Sequence, residues 1–128
     1  MLGEELCSIV NKTKGKHPRL PFDVIKNKIV GSSYDLSICF VSPSTQKKLN
    51  TLYRKKNTTT NVLSFSLSKT SGEITFDLAK VKDDASLFSM TYSHFLKYLF
   101  IHGLLHLKGY EHSSTMEREE KKFLALFS

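Results

Sequence analysis

Three of the chain's five histidines fall within eleven residues, His102-Gly-Leu-Leu-His106-Leu-Lys-Gly109-Tyr-Glu111-His112. Residues four apart on a helix lie one turn above each other, so His102 and His106 can present two imidazoles to one cation. Gly109 supplies the left-handed turn that ends such a helix and swings the chain back, which returns His112 to the same point. This stretch therefore constrains the fold strongly. It demands a helix with one inward stripe, a sharp break at Gly109 and a return. At about 100° per residue, Phe95, Leu99, His102 and His106 share that stripe, so the site is expected in a partly dry pocket. Three neutral imidazoles with one coordination position open is a usual way to hold a catalytic zinc. His17 and His94, isolated from the cluster, read as core or surface residues.

The same His, His, Gly, His spacing resembles that of the metzincin-type zinc peptidases, but Gly103 stands where those enzymes carry their catalytic glutamate. Without that carboxylate, peptide hydrolysis lacks its general base, and a peptidase is disfavoured.

With 128 residues, 40% of them hydrophobic, and nine phenylalanines, the chain reads as one domain spanning 1–128 with a modest core. Cys7 and Cys39 lie far apart in apolar stretches and are read as reduced, buried thiols. With neither signal peptide nor membrane span in evidence, the protein is expected to be cytoplasmic. A net charge of +7 points to an anionic partner, nucleic acid first. Lysines outnumber arginines 16 to 3, and the basic residues cluster at Lys12, Lys14, Lys16 and Arg19, then at Lys47, Lys48, Arg54, Lys55 and Lys56.

Along the chain, Leu6 to Val10 reads as a short strand and Pro21 to Val30 as a helix closed by Gly31. Asp35 to Val41 alternates as a strand, and Ser42-Pro43 opens a helix to about Arg54. Val62 to Leu67 and Glu73 to Phe76 are expected to pair as a hairpin. A long helix from Ser86 or Ser89 to Leu107 ends at the glycine break. Ser114-Thr-Met-Glu117 has the form of a capping box opening a last helix to about Leu126. The fold class is α+β: a small mixed sheet of about four strands packed with helices, its metal site at the end of the long helix.

Two blocks of residues resemble the YbeY family of bacterial endoribonucleases and rRNA maturation factors. One is His102 to His112. The other comprises Leu49-Asn50, Tyr53-Arg54 and Thr60-Asn61-Val62-Leu63-Ser64-Phe65, and Gly72-Glu73-Ile74 resembles the family's Gly-Asp-Ile. The resemblance implies that His102, His106 and His112 are metal ligands, commonly for zinc, and that Arg54 acts beside the metal. It also implies metal-dependent RNA cleavage at the 3′ end of the small-subunit rRNA and a role in ribosome quality control. Small-ribosomal-subunit components and an assembly GTPase are the partners it suggests. Lys55 and Lys56 suit a groove for an RNA backbone. Glu111 replaces the usual aspartate and Ser66 a proline; the region after Phe76 is compact. These departures bear on substrate fit, not on the ligands.

Among candidate chemical roles, Arg54 offers a planar pair of donors to a scissile phosphate. Glu111 is a candidate for orienting an imidazole. Asn61 and Ser64 are candidate pocket polar groups, or ordinary turn and strand residues. The base is open between metal hydroxide, Glu111 and a substrate oxygen, and attack by the 2′-hydroxyl is equally open. The rival classes are a non-catalytic ribosome-assembly factor with a structural metal, which a fourth protein ligand would mark, and a peptidase-like hydrolase.

Overall fold

A computed structural model describes residues 6–54 and 60–128. Its elements follow the order β1 (Cys7–Asn11), α1 (Phe22–Ile29), β2 (Asp35–Phe40), α2 (Pro43–Arg54), β3 (Val62–Ser68), β4 (Ser71–Phe76), α3 (Leu78–Leu87), α4 (Tyr92–Lys108) and α5 (Ser114–Leu126). The four strands form one sheet in the order β1-β2-β4-β3. β1, β2 and β4 run parallel, and β3 returns antiparallel on the edge. The expected α+β fold with a mixed four-stranded sheet is the one found.

The period of two along each strand divides the sheet into a dry face and a partly wet one. Leu36, Ile38 and Phe40 on β2 sit beside Gly72, Ile74 and Phe76 on β4, and all five large side chains among them are buried. Leu96, Phe100, Ile101, Leu104 and Leu105 of α4 complete this core, with α1, α3 and α5 around it. The opposite face carries α2. Gln46 anchors it through a buried pair of bonds: Gln46 Nε2 donates to the Thr75 carbonyl (3.1 Å) and Thr75 Oγ1 donates to Gln46 Oε1 (2.8 Å). Ser42 caps α2, its Oγ accepting from the Thr45 amide at 3.2 Å, with Pro43 in the first helical position.

The β3–β4 hairpin forms as expected, with the turn held by Ser68: its Oγ accepts from the Thr70 amide at 3.1 Å. Two boundaries differ from the sequence reading. The long helix begins later, at Tyr92, where Thr91 Oγ1 accepts from the His94 amide. Before it lies α3, which was not expected; Asp77 Oδ1 caps it by accepting from the Lys80 amide at 3.1 Å. The last helix is capped by Ser113 rather than Ser114, its Oγ accepting from the Met116 amide at 3.2 Å, and Met116, Glu120 and Phe123 face inward. Neither Cys7 nor Cys39 forms a disulfide; Cys39 is buried as expected, whereas Cys7 is only half-buried, because it sits on the edge strand β1. No helix among the described residues is long and apolar enough to cross a membrane.

Candidate metal centre

The end of α4 is a Schellman turn. Gly109 adopts φ 111°, its amide donates to the His106 carbonyl (3.0 Å), and the Tyr110 amide donates to the Leu105 carbonyl (3.0 Å). A side chain at that φ would be strained, so the glycine is required by the backbone. The turn aims the Tyr110 carbonyl back at the helix, where it accepts a hydrogen bond from His106 Nδ1 at 3.1 Å. It also delivers His112. The three rings then stand 4.6 Å (His102–His106), 4.9 Å (His106–His112) and 5.3 Å (His102–His112) apart. One nitrogen from each lies within 4.8 Å of the others, a group able to hold a metal ion.

The hydrogen-bond pattern shows that these donors fit a cation. His106 Nδ1 faces a carbonyl, which only accepts, so the proton sits on Nδ1 and Nε2 keeps its lone pair. His102 Nδ1 likewise donates to the carboxylate of Glu120, a buried residue reaching across from α5. The two Nε2 atoms, both lone-pair carriers, then face each other at 3.1 Å. Two acceptors at that distance repel unless a cation lies between them. Burial, reinforced by the neighbouring His102 and His112 rings, pushes the His106 pKa below its ordinary value, which keeps the ring neutral and ligand-competent at pH 7.

Glu120 is the residue that sequence reasoning missed. Glu111, the candidate for orienting an imidazole, is exposed, and its carbonyl accepts from Ser113 Oγ. The carboxylate against a ring belongs to Glu120, on the apolar stripe of α5. A carboxylate on such a stripe needs a partner, and that was its signal in the sequence. Carboxylate–imidazole contacts of this kind fix ring orientation and raise ligand basicity. Glu120→Gln is therefore expected to weaken zinc affinity by about 10–100-fold, measured by competition with a chelating dye. Unchanged affinity would reduce Glu120 to a packing residue.

The other candidates separate cleanly. Arg54, exposed at the end of α2, lines a cavity of about 410 Å³ together with His102 and Asn61. It also lines a second cleft of about 360 Å³, with Tyr53, Ser64, Phe65 and Glu73, and so stands between the two. Asn61 Nδ2 donates to Asp84 Oδ2 at 2.9 Å. Ser64 Oγ donates to the Gly103 carbonyl at 3.3 Å, tying the edge strand to the helix beside His102. Lys55 and Lys56 lie outside the described residues. His17 stacks on Phe40 at 4.6 Å, away from the cluster.

Gly103 has a steric cause. A Cβ there would stand 2.8 Å from Ser64 Oγ and 3.1 Å from Ile74 Cδ1. The position that gives the peptidases their glutamate is here a point where α4 lies too close to β3 and β4 to admit a side chain without a shift.

The sequence model described as Endoribonuclease YbeY matches residues 18–126. Proteins named Endoribonuclease YbeY are similar across much of the chain. The one from Mycoplasmopsis synoviae is 36% identical over 70% of this chain and 64% of its own length. That from Halalkalibacterium halodurans is 32% identical over 74% of this chain and 69% of its own. That from Thermodesulfovibrio yellowstonii is 33% identical over 95% of this chain and 82% of its own. The match thus spans less than two thirds of the Mycoplasmopsis protein. The solution structure of TM1509 from Thermotoga maritima superposes with a TM-score of 0.65 at 28% identity, covering 92% of this chain and 86% of that one. With the family's sequence model extending over most of the chain and through all three histidines, the chain belongs to the YbeY family.

Proposed function

We propose that the protein is a metal-dependent endoribonuclease that cuts single-stranded RNA, with His102, His106 and His112 holding one zinc ion or another divalent metal. The observation that carries this reading is the convergence of imidazole lone pairs beside a cavity that Arg54 also lines. When bound, the metal supplies Lewis acidity at neutral pH. The protein's own groups do the rest. Glu120 and the Tyr110 carbonyl hold two ligand rings in the tautomer that presents Nε2. Arg54 directs a rigid fork of N–H donors at a phosphate and offsets charge growing on its oxygens. Asn61 and Ser64 shape the walls, and Lys55, Lys56 and the wider +7 charge attract the RNA backbone. Among the described residues the cluster contains three donors, which favours an open, catalytic site over the closed one of a purely structural metal.

The physiological reading rests on the resemblance of the two sequence blocks: cytoplasmic maturation of ribosomal RNA at the small-subunit 3′ end, and ribosome quality control. Small-subunit components and an assembly GTPase are the proposed partners.

Cleavage of a short rRNA 3′-end substrate tests the reading. Arg54→Ala is expected to slow cutting about 10²–10³-fold, the usual cost of losing one preorganised charge-stabilising donor, while bound metal stays stoichiometric. Equal cutting by wild type and variant would remove Arg54 from the chemistry. No cutting by metal-loaded wild type would leave the assembly-factor reading.

A further inference from the structure

A ladder of rings runs from the surface to the histidine cluster. Phe88 stacks on Phe95 (5.4 Å, 22°), Phe95 on Tyr98 (6.1 Å, 17°), and Tyr98 leans on His102 (6.2 Å, 31°). All four line the cavity of about 410 Å³ that Arg54 and Asn61 also line. The outermost ring is 62% exposed, which is costly for an apolar aromatic side chain left unoccupied. Its position is also held at a cost. Ser89, next in the chain, takes φ 54°, the one positive φ at a non-glycine position among the described residues. There α3 ends in a second Schellman-type turn, with the Met90 amide donating to the Ala85 carbonyl and the Ser89 amide to Ser86. A serine in the left-handed conformation costs about 1 kcal/mol. Strain of this sort is typical of sites where geometry serves a ligand.

We propose that this cavity is a base-binding subsite: it takes one unstacked nucleobase of single-stranded RNA, with Phe88 as its outer stacking face. The proposal rests on the reading of the site as one that acts on RNA. Stacking on aromatic faces is how unpaired bases are commonly held, and it tolerates sequence because every base has a π-face. A base seated here leaves its phosphate near Arg54 and the histidine cluster, the groups that line the same cavity. Asn61 adds selectivity. One of its two amide N–H groups is held by Asp84, which orients the carbonyl oxygen and the second N–H as an acceptor and a donor for the edge of a base. An apolar protein side chain would use the rings alone and leave Arg54 unmatched. The +7 charge further favours the anionic polymer.

The test uses short single-stranded RNAs carrying 2-aminopurine at successive positions, mixed with the metal-loaded protein and read on mixing, before cutting. One position should be quenched by stacking. Phe88→Ala should abolish that quench and weaken binding about tenfold, the size of one lost base–aromatic stack. Phe88→Trp should restore both. Phe88→Leu, which keeps apolar bulk but no ring, should behave like alanine and guards against a folding defect. Bound RNA with no quenched position, or equal quenching by Phe88→Leu, would overturn the subsite. Cleavage is scored separately on the same RNAs. Cutting that ignores Phe88 sinks the subsite and spares the nuclease; quenching without cutting does the reverse.

Discussion

His106→Ala is expected to lose stoichiometric metal and to cut RNA at least ~10³-fold more slowly than wild type. The bound metal contributes several kcal/mol of charge stabilisation, and each ~1.4 kcal/mol is a factor of ten in rate. His106 is the informative ligand to remove because it lies at the centre of the arrangement. Its Nε2 faces His102, its ring packs edge-on to both partners, and its Nδ1 bonds the Schellman turn. Losing that last bond costs about 1 kcal/mol of stability, so the variant is expected to fold. Metal content by mass spectrometry and far-UV circular dichroism should therefore part company: the first lost, the second kept. A folded His106→Ala protein that still carries one metal per chain would move the metal site elsewhere.

The second large effect is structural. Gly103→Glu restores on paper the carboxylate of the zinc peptidases, yet the variant is expected to gain no peptidase activity. It is expected to lose more than ~3 kcal/mol of stability, because the added side chain would enter the α4–sheet contact and bring a carboxylate with it. Gly103→Ala isolates the steric part and is expected to cost about 1–3 kcal/mol, the range for overpacking. Urea unfolding followed by fluorescence or circular dichroism measures both, with casein hydrolysis assayed alongside. A glutamate variant unfolding at the wild-type urea concentration would show that the helix has slack against β3 and β4.

The parts of this molecule that were legible in the sequence are those written in short-range chemistry. A pair of histidines four apart, a glycine three residues further and a third histidine specify a helix, a left-handed stop and a return, and the turn at Gly109 performs all three. The β3–β4 hairpin was legible because alternation and turn residues are local. What was hidden depended on tertiary partners. Glu120 lies 18 residues from His102 in a run of charged side chains, and only the inward register of α5 separates it from its exposed neighbours. That inward face is set by the docking of α5 on α4, a tertiary contact that local spacing does not show. Helix α3 was hidden because its buried stripe is thin, Leu78, Val81 and Ala85, interleaved with lysines and aspartates that read as a solvated connection. The absence of a side chain at position 103 was visible, but its cause was not. The sequence comparison framed it as a missing catalytic base, whereas the packing frames it as clearance between two surfaces.

The contact between Glu120 and His102 has a consequence for how the site is completed. All three candidate ligands precede α5 in the chain, while the carboxylate that fixes one of them lies within it. Until α5 has packed against α4, His102 lacks the carboxylate that orients its ring. The finished metal site therefore depends on the docking of the last helix as much as on the three ligands themselves.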